Sequence, residues 1–154
     1  MNLFRLFRKE PEEKYTGDVV DLIAEKKYPG GNDGAGETIY YGIYVHDTNT
    51  RVGYIDLRLG MNRELYYAGN VGYHIHPIFR GHHYAYEACC VVFRIARDVY
   101  KVRELIITCS PENTPSRKTL ERLQGELLET VDVPSDHWLY QRGETVKNIY
   151  KYTL

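Results

Sequence analysis

The segment Val71–Ala85, VGYHIHPIFRGHHYA, constrains this chain more than any other stretch. It opens as a strand, breaks at a short polar turn and runs into a helix-like segment, Tyr86–Lys101. A helix start carries unpaired N–H groups and the positive end of the backbone dipole, and both favour an anion. Gly81 lets the backbone come close to a ligand, and Arg80 adds a charged donor just ahead of Ala85. This pattern at a strand–helix junction predicts a site for a phosphorylated ligand.

The flanking sequence fixes the surroundings of that junction. Between Ala85 and Tyr100, apolar or small residues at 85, 88, 89, 92, 95, 96 and 99 mark one helix face. Glu104–Cys109 (ELIITC) follows as a short apolar run, the pattern of a strand buried on both faces. Strand, helix and strand in this order predict a parallel pair with a right-handed crossover. Upstream, Thr38–His46 and Val52–Leu59 read as strands joined by the turn Asp47-Thr48-Asn49-Thr50, a hairpin. Asp18–Lys26 suits a strand or a helix, and Pro29–Gly36 is a loop. Arg63–Tyr67 leads through Gly69-Asn70 into the strand Val71–His76. Downstream, Thr114 reads as an N-cap with Pro115 in the first helical position. Leu120 and Leu123 form the inward stripe of that helix, and Gly125 ends it. Strands at Leu127–Val133 and Val146–Leu154, separated by Pro134-Ser135-Asp136, close the chain. The expected class is α/β, with a mixed sheet and few helices.

At 154 residues the chain is expected to form one domain, with residues 1–15 a loosely attached N-terminal segment. Twenty basic against 21 acidic residues leave a net charge of −1, which argues against nucleic acid or an anionic membrane as the main partner. No apolar run approaches the ~20 residues of a membrane span. The start, MNLFRLFRKEPEEK, is too interrupted for a signal peptide; it suits an amphipathic surface helix or a self-packed terminus. Three cysteines, two of them adjacent (Cys89, Cys90, Cys109), predict a reducing, cytoplasmic setting. Fifteen tyrosines suit half-buried sheets or a polar aromatic pocket. His74-Ile75-His76 points two imidazoles one way, with His82 and His83 nearby. That resembles the His-x-His of cupin barrels, but the glutamate expected next is missing and a helix follows, so no metal is expected. GxxxxGK[ST] and GxGxxG are absent, which removes the main support for nucleotide hydrolysis and dinucleotide redox chemistry.

The junction resembles the GNAT N-acetyltransferase superfamily, whose signature is Arg/Gln-x-x-Gly-x-Gly/Ala between a central strand and a helix. Arg80 and Ala85 match its ends, and Gly81 matches the common Arg-Gly start. Ile75-x-Pro77-x-Phe79 fits the strand before it, and Asn113-x-x-Ser116 fits the start of the second helix. His83 replaces the middle glycine, which implies a tighter loop or a backbone angle that a non-glycine residue must tolerate. The resemblance runs from Val71 to Leu128, with Asp18–Lys26 as the first strand and the family's early helices reduced or absent. It implies a mostly antiparallel sheet whose central parallel pair splays apart at a bulge, with flanking helices. It also implies acetyl-CoA as co-substrate. The amides of Arg80, Gly81, His82, His83, Tyr84 and Ala85 would hold the pyrophosphate. The edge at Tyr73 and Ile75 would pair with the pantetheine amides as an added strand. Asn113 and Ser116 would touch the far part of that arm. A backbone N–H in the gap would stabilise the oxyanion, and a neutral amine would attack directly in a ternary complex.

Many members carry a carboxylate five positions before the asparagine and a tyrosine seven after it. Here those positions hold Thr108 and Leu120. His74 is the preferred replacement base, or the organiser of a water chain, since an unperturbed histidine titrates near working pH. His76 shares its strand face; Tyr73 and Cys109 are further candidate acids. Asp132, Asp136, His137, Trp138 and Arg142 line a substrate mouth or an exposed loop, and Gly31–Gly36 is a substrate loop or a connector. The expected activity is acetyl transfer to an amine of a small molecule or peptide. The rival is a non-catalytic acyl-CoA-binding module. A monomer or homodimer is expected, with Val146–Leu154 as a candidate dimer edge.

Overall fold

The structure, a computed structural model, describes residues 12–154. Five strands form the first sheet in sequential order: β1 (Lys14–Thr16), β2 (Val20–Tyr28), β3 (Ala35–Val45), β4 (Arg51–Gly60) and β5 (Val71–Ile75). Three strands form the second: β6 (Glu104–Cys109), β7 (Glu126–Asp132) and β8 (Val146–Thr153), in the order β6-β8-β7. Four helices complete the fold: α1 (Arg63–Ala68), α2 (Tyr84–Asp98), α3 (Thr114–Arg122) and α4 (Trp138–Gln141). Every ladder among the described residues is antiparallel. The strand pair flanking α2 is therefore a junction between two sheets, with β5 ending one and β6 bordering the other.

Within Asp18–Lys26 the strand begins at Val20, after a bend at Asp18 and Val19. Val20 and Leu22 are buried under α2, whereas Glu25 to Tyr28 run out into solvent. Only residues 29–34 separate β2 from β3, so no helix intervenes there. The N-terminal expectation changes at its inner end: Glu13 accepts from Ala24 N (2.9 Å) and pairs with Lys27, and Tyr15 lies in β1. The amphipathic stretch itself lies outside the described residues.

The α2 stripe buries Ala88, Cys89, Val92, Ile95 and Ala96 against Val20, Leu22, Ile55, Leu57 and Val71. Each large aliphatic side chain so buried contributes about 1.5–3 kcal/mol. Val91 joins this face and Val99 does not, being 47% exposed where the helix has ended. β6 alternates instead of being buried on both faces: Leu105, Ile107 and Cys109 are buried, while Ile106 and Thr108 are half-buried.

Three further expectations are corrected. Asn113, not Thr114, caps α3, because its side-chain oxygen reaches Ser116 N (3.4 Å). Val146–Leu154 is not an edge: β8 is paired on both sides, and β7 is the outer strand. The splay needs no bulge in β5, whose register with β4 runs unbroken from Gly53↔Ile75 to Leu57↔Val71. Asn70 shapes the junction. Its N–H donates to Ile106 O (2.6 Å), and its side-chain oxygen accepts from Ile106 N (2.8 Å). Its side-chain nitrogen donates to Arg58 O and Gly60 O, both at 2.8 Å. Beside it, Gly69 (φ 85°) packs so close to β6 that a Cβ would lie 3.2 Å from Thr108 N. The strands are tied where β5 begins and part towards their carboxyl ends.

Candidate acyl-CoA cleft

Beyond the tied end, a cleft of about 640 Å³ opens between β5, the start of α2 and one face of α3. Its backbone wall follows from ladder parity. Arg58 N donates to Asn70 O (2.7 Å) and His76 N to Val52 O (2.9 Å), so Gly72 and His74 turn their amides towards β4. Tyr73 and Ile75 turn theirs away, into the gap. Ile75 O accepts from Arg80 Nε (3.1 Å); Tyr73 N–H, Tyr73 C=O and Ile75 N–H have no partner among the described residues.

The turn after β5 supplies the second wall. Pro77–Phe79 form one 3₁₀ turn, and Gly81 (φ 91°) and His83 (φ 60°) both take left-handed angles before α2 begins. The loop thus keeps a glycine-type angle at His83 rather than tightening around it. Asn62, Asn113 and His137 cap the other three helices with side-chain acceptors, but no side chain caps α2. Its first-turn N–H groups remain open at the cleft.

Of the sequence-selected residues, Tyr73, His74, Ile75, Arg80, Gly81, His83, Tyr84, Ala85, Asn113 and Ser116 all line this cleft. His82 is not part of the lining; its ring lies 5.3 Å from that of Tyr84. Sequence reasoning missed Phe79, Tyr86, Pro115, Lys118, Thr119 and Arg122. Four of these follow the turn spacing of α3 on the side away from Leu120, and that periodicity was the available signal. The lining holds the guanidinium groups of Arg80 and Arg122 and the ammonium of Lys118, and no carboxylate. In a chain of net charge −1 this is a local concentration of positive charge.

Tyr73 donates its hydroxyl to Ser116 Oγ (3.3 Å), and burial pushes its phenol well above the ordinary tyrosine range. Burial also raises the Cys109 thiol. His74 stands on the opposite side of β5, across from Tyr54 on β4 and 5.6 Å from the His76 ring. His76 Nε2 faces Arg51 Nη1 at 3.4 Å, and Arg51 is clamped by Glu25. Thr108 is occupied by a bond to Tyr67 O (2.7 Å), and Leu120 is fully buried. Among the described residues no three histidine, cysteine or acidic side chains gather in a metal-binding group.

Four of the five residues proposed for a substrate mouth, Asp136, His137, Trp138 and Arg142, make contacts elsewhere. Asp136 pairs with Arg63 (3.0 Å), and fully buried His137 contacts Glu64 (2.9 Å) while capping α4. Arg142 lies over the Trp138 ring. These contacts brace the β7–β8 connection against α1, and none of the five residues lines the cleft. Gly34 lies by Met61, so that end of the glycine-rich loop packs on the β4–α1 connection.

This architecture and cleft define an acyltransferase fold. The acetyltransferase (GNAT) domain family matches residues 3–126, and the chain belongs to that family, whose acyl donor is acetyl-CoA. Solved structures agree at the level of fold. A GNAT-family acetyltransferase from Bacillus anthracis is 20% identical, with 74% of this chain and 65% of that chain covered at a TM-score of 0.60. The apo form of RimL, a ribosomal alpha-N-protein acetyltransferase, is 12% identical and covers 93% of this chain and 95% of its own, at 0.65. The microcin self-immunity acetyltransferase MccE, solved with acetyl-CoA and AMP, is 16% identical, with 76% of this chain and 61% of that chain covered at 0.56. This chain thus spans less than two thirds of the Bacillus and MccE chains. Among curated proteins no sequence matches it. No helix of the described residues is long and apolar enough to cross a membrane.

Proposed function

We propose that the chain transfers an acetyl group from acetyl-CoA to the amine of a small molecule or peptide, in a ternary complex. The observation that carries this is the cleft, which joins an unpaired strand edge, an uncapped helix start and three cations without a carboxylate. The residues fit the donor. The open amides from Gly81 to Ala85 suit a pyrophosphate, with Arg80 beside them. Tyr73 and Ile75 suit an extended chain of amides, and Asn113 and Ser116 close its outer side. Acetyl-CoA supplies an activated thioester. The chain's own contribution is to align it and to exclude water, worth several orders of magnitude in rate. His74, on the far side of β5, accepts the proton of the incoming amine directly or through water. Tyr73, protonated throughout the neutral range, is the acid placed in the cleft.

A second reading has its own support. Thr108 is engaged with Tyr67 and Leu120 is buried, so neither offers a titratable group. A protein that binds acyl-CoA without turnover fits those two positions. Thermal melting with acetyl-CoA, CoA or ATP tests the site. A ligand at about a hundred times its Kd adds roughly 2.7 kcal/mol, several degrees in a domain of this size. A shift with both CoA species and none with ATP is expected; no shift with either CoA species overturns the proposal. Thiol release across a panel of small and peptide amines then separates catalysis from binding alone. His74→Ala should alter the pH–rate profile, and an unchanged profile removes His74 as base.

A further inference from the structure

On the face of the first sheet away from α2, a line of polar contacts runs from β2 to β5. β2 bulges between Ala24 and Lys26, which leaves Glu25 without a register partner on β3. β4 is irregular between Arg51 and Gly53, which leaves Val52 without one. Glu25 reaches over Gly42 to Arg51, whose Nη2 and Nε donate to Glu25 Oε1 at 2.7 and 3.1 Å. A side chain at position 42 would block that path, because its Cβ would collide with Glu25 Oε1. Val52 O takes the N–H of His76 (2.9 Å), which ties the end of β5 beside Arg51. An exposed ion pair adds little to stability. Two bulges and a glycine are more than such a pair needs, and bulges are a means of re-aiming side chains near a site.

The group these contacts fix is His76. Arg51 Nη1 makes a long hydrogen bond, 3.4 Å, to His76 Nε2. A guanidinium only donates, so Nε2 accepts and the ring proton sits on Nδ1. Nε2 is then closed to a further proton. The His76 and His74 rings stand edge to face, with 5.6 Å between centres and 67° between planes. His74 also meets the Tyr54 ring at 5.6 Å, and its nitrogens have no hydrogen-bond partner among the described residues. The two imidazoles share a strand face but are unequal: one is fixed and the other is free. Resting on the reading of His74 as the base, we infer that Arg51, held by Glu25, locks His76 as the Nδ1–H tautomer, and that His76 is a positioning residue whose ring holds His74 for the acceptor amine. His74 is then the proton acceptor of the pair. It takes the amine's proton as the amine attacks the thioester carbon, and passes it to solvent. Glu25 offsets the charge of Arg51, so the imidazolium that forms does not face an uncompensated cation.

The test combines imidazole proton–nitrogen NMR spectra of the whole chain with steady-state kinetics. The probe is a peptide with a free N-terminus or a small primary amine, whichever is acetylated in the thiol-release assay. The His76 signals, identified with His76→Gln, should show the Nδ1–H tautomer in the wild-type chain. Arg51→Met should release that tautomer and lower kcat about tenfold. The KM for acetyl-CoA should stay level, because the clamp lies across β5 from the cleft. Glu25→Ala should act in the same direction and less strongly. Lys26→Gln, beside the bulge, should change neither readout, and unchanged melting temperatures will show that the variants fold. An Nε2–H tautomer at His76 in the wild-type chain overturns the inference. So does an Arg51→Met chain that keeps the wild-type kcat, or one that loses kcat and acetyl-CoA affinity together. Each of these leaves acetyl transfer and the base assignment standing. A wild-type chain that acetylates no amine overturns the transfer reading itself, and this inference with it.

Discussion

The two ends of the β5–β6 junction are built from neighbouring residues and behave oppositely. At the closed end, Asn70 is buried and each of its polar groups is bonded, to β4 on one side and β6 on the other. At the open end, three residues along the same strand, Tyr73 leaves its amide and carbonyl without partners. Solvent-facing backbone is common at a sheet edge, but this edge faces the interior of a cleft with positive walls. A buried polar group must be bonded or it costs free energy. The closed end meets that demand within the protein, and the open end leaves it to a ligand. The opening is therefore specified by where the stitching stops.

The largest effect should come from breaking the closed end. Asn70→Ala removes three side-chain hydrogen bonds and strands Ile106 N–H and the carbonyls of Arg58 and Gly60. A loss of about 3–5 kcal/mol is expected in urea unfolding. A loss under about 1 kcal/mol would mean that the two sheets are held together by their apolar core alone.

Two glycines sharpen the comparison, one at each end. Gly69 has a positive φ, and a Cβ there would press at 3.2 Å on the backbone of β6, so Gly69→Ala should cost about 2–3 kcal/mol of stability. Gly81 has a similar φ, but a Cβ there would meet nothing within 4 Å. Only the backbone angle resists, so Gly81→Ala should cost about 1–2 kcal/mol. Its larger effect should be on acetyl-CoA affinity, because the altered turn redirects the open amides. Equal stability losses at the two sites would contradict this division between a packing glycine and a binding glycine.

The open end is more legible in the sequence than the closed one. Arg80, Gly81 and Ala85 form a short local pattern, and Asn113-x-x-Ser116 lies within one helical turn. Asn70 reads from the sequence only as part of the lead into a strand, because its partners, Arg58, Gly60 and Ile106, are 10 to 36 residues away. No local periodicity reports contacts of that range. The same limit explains the edge assignment of Val146–Leu154: strand order depends on pairing between distant segments, and β8 inserts between β6 and β7. The role of His137 is hidden likewise, since its partner Glu64 lies in another helix.

His83 gives the smallest expected effect and the sharpest reading of the open end. A non-glycine residue at φ 60° carries about 1–2 kcal/mol of strain. Glycine removes that strain, but it also enlarges the conformational freedom of the unfolded chain, by about 0.4–1 kcal/mol. His83→Gly should therefore stabilise the fold by at most about 1.6 kcal/mol. Acetyl-CoA affinity distinguishes two roles for the ring. If only the loop's backbone angle matters, affinity stays level or rises, since glycine adopts the angle freely. If affinity falls while stability rises, the imidazole itself contacts the donor, and the strain at position 83 is retained for binding. That would make His83 an exception to the rule that backbone groups carry the open end.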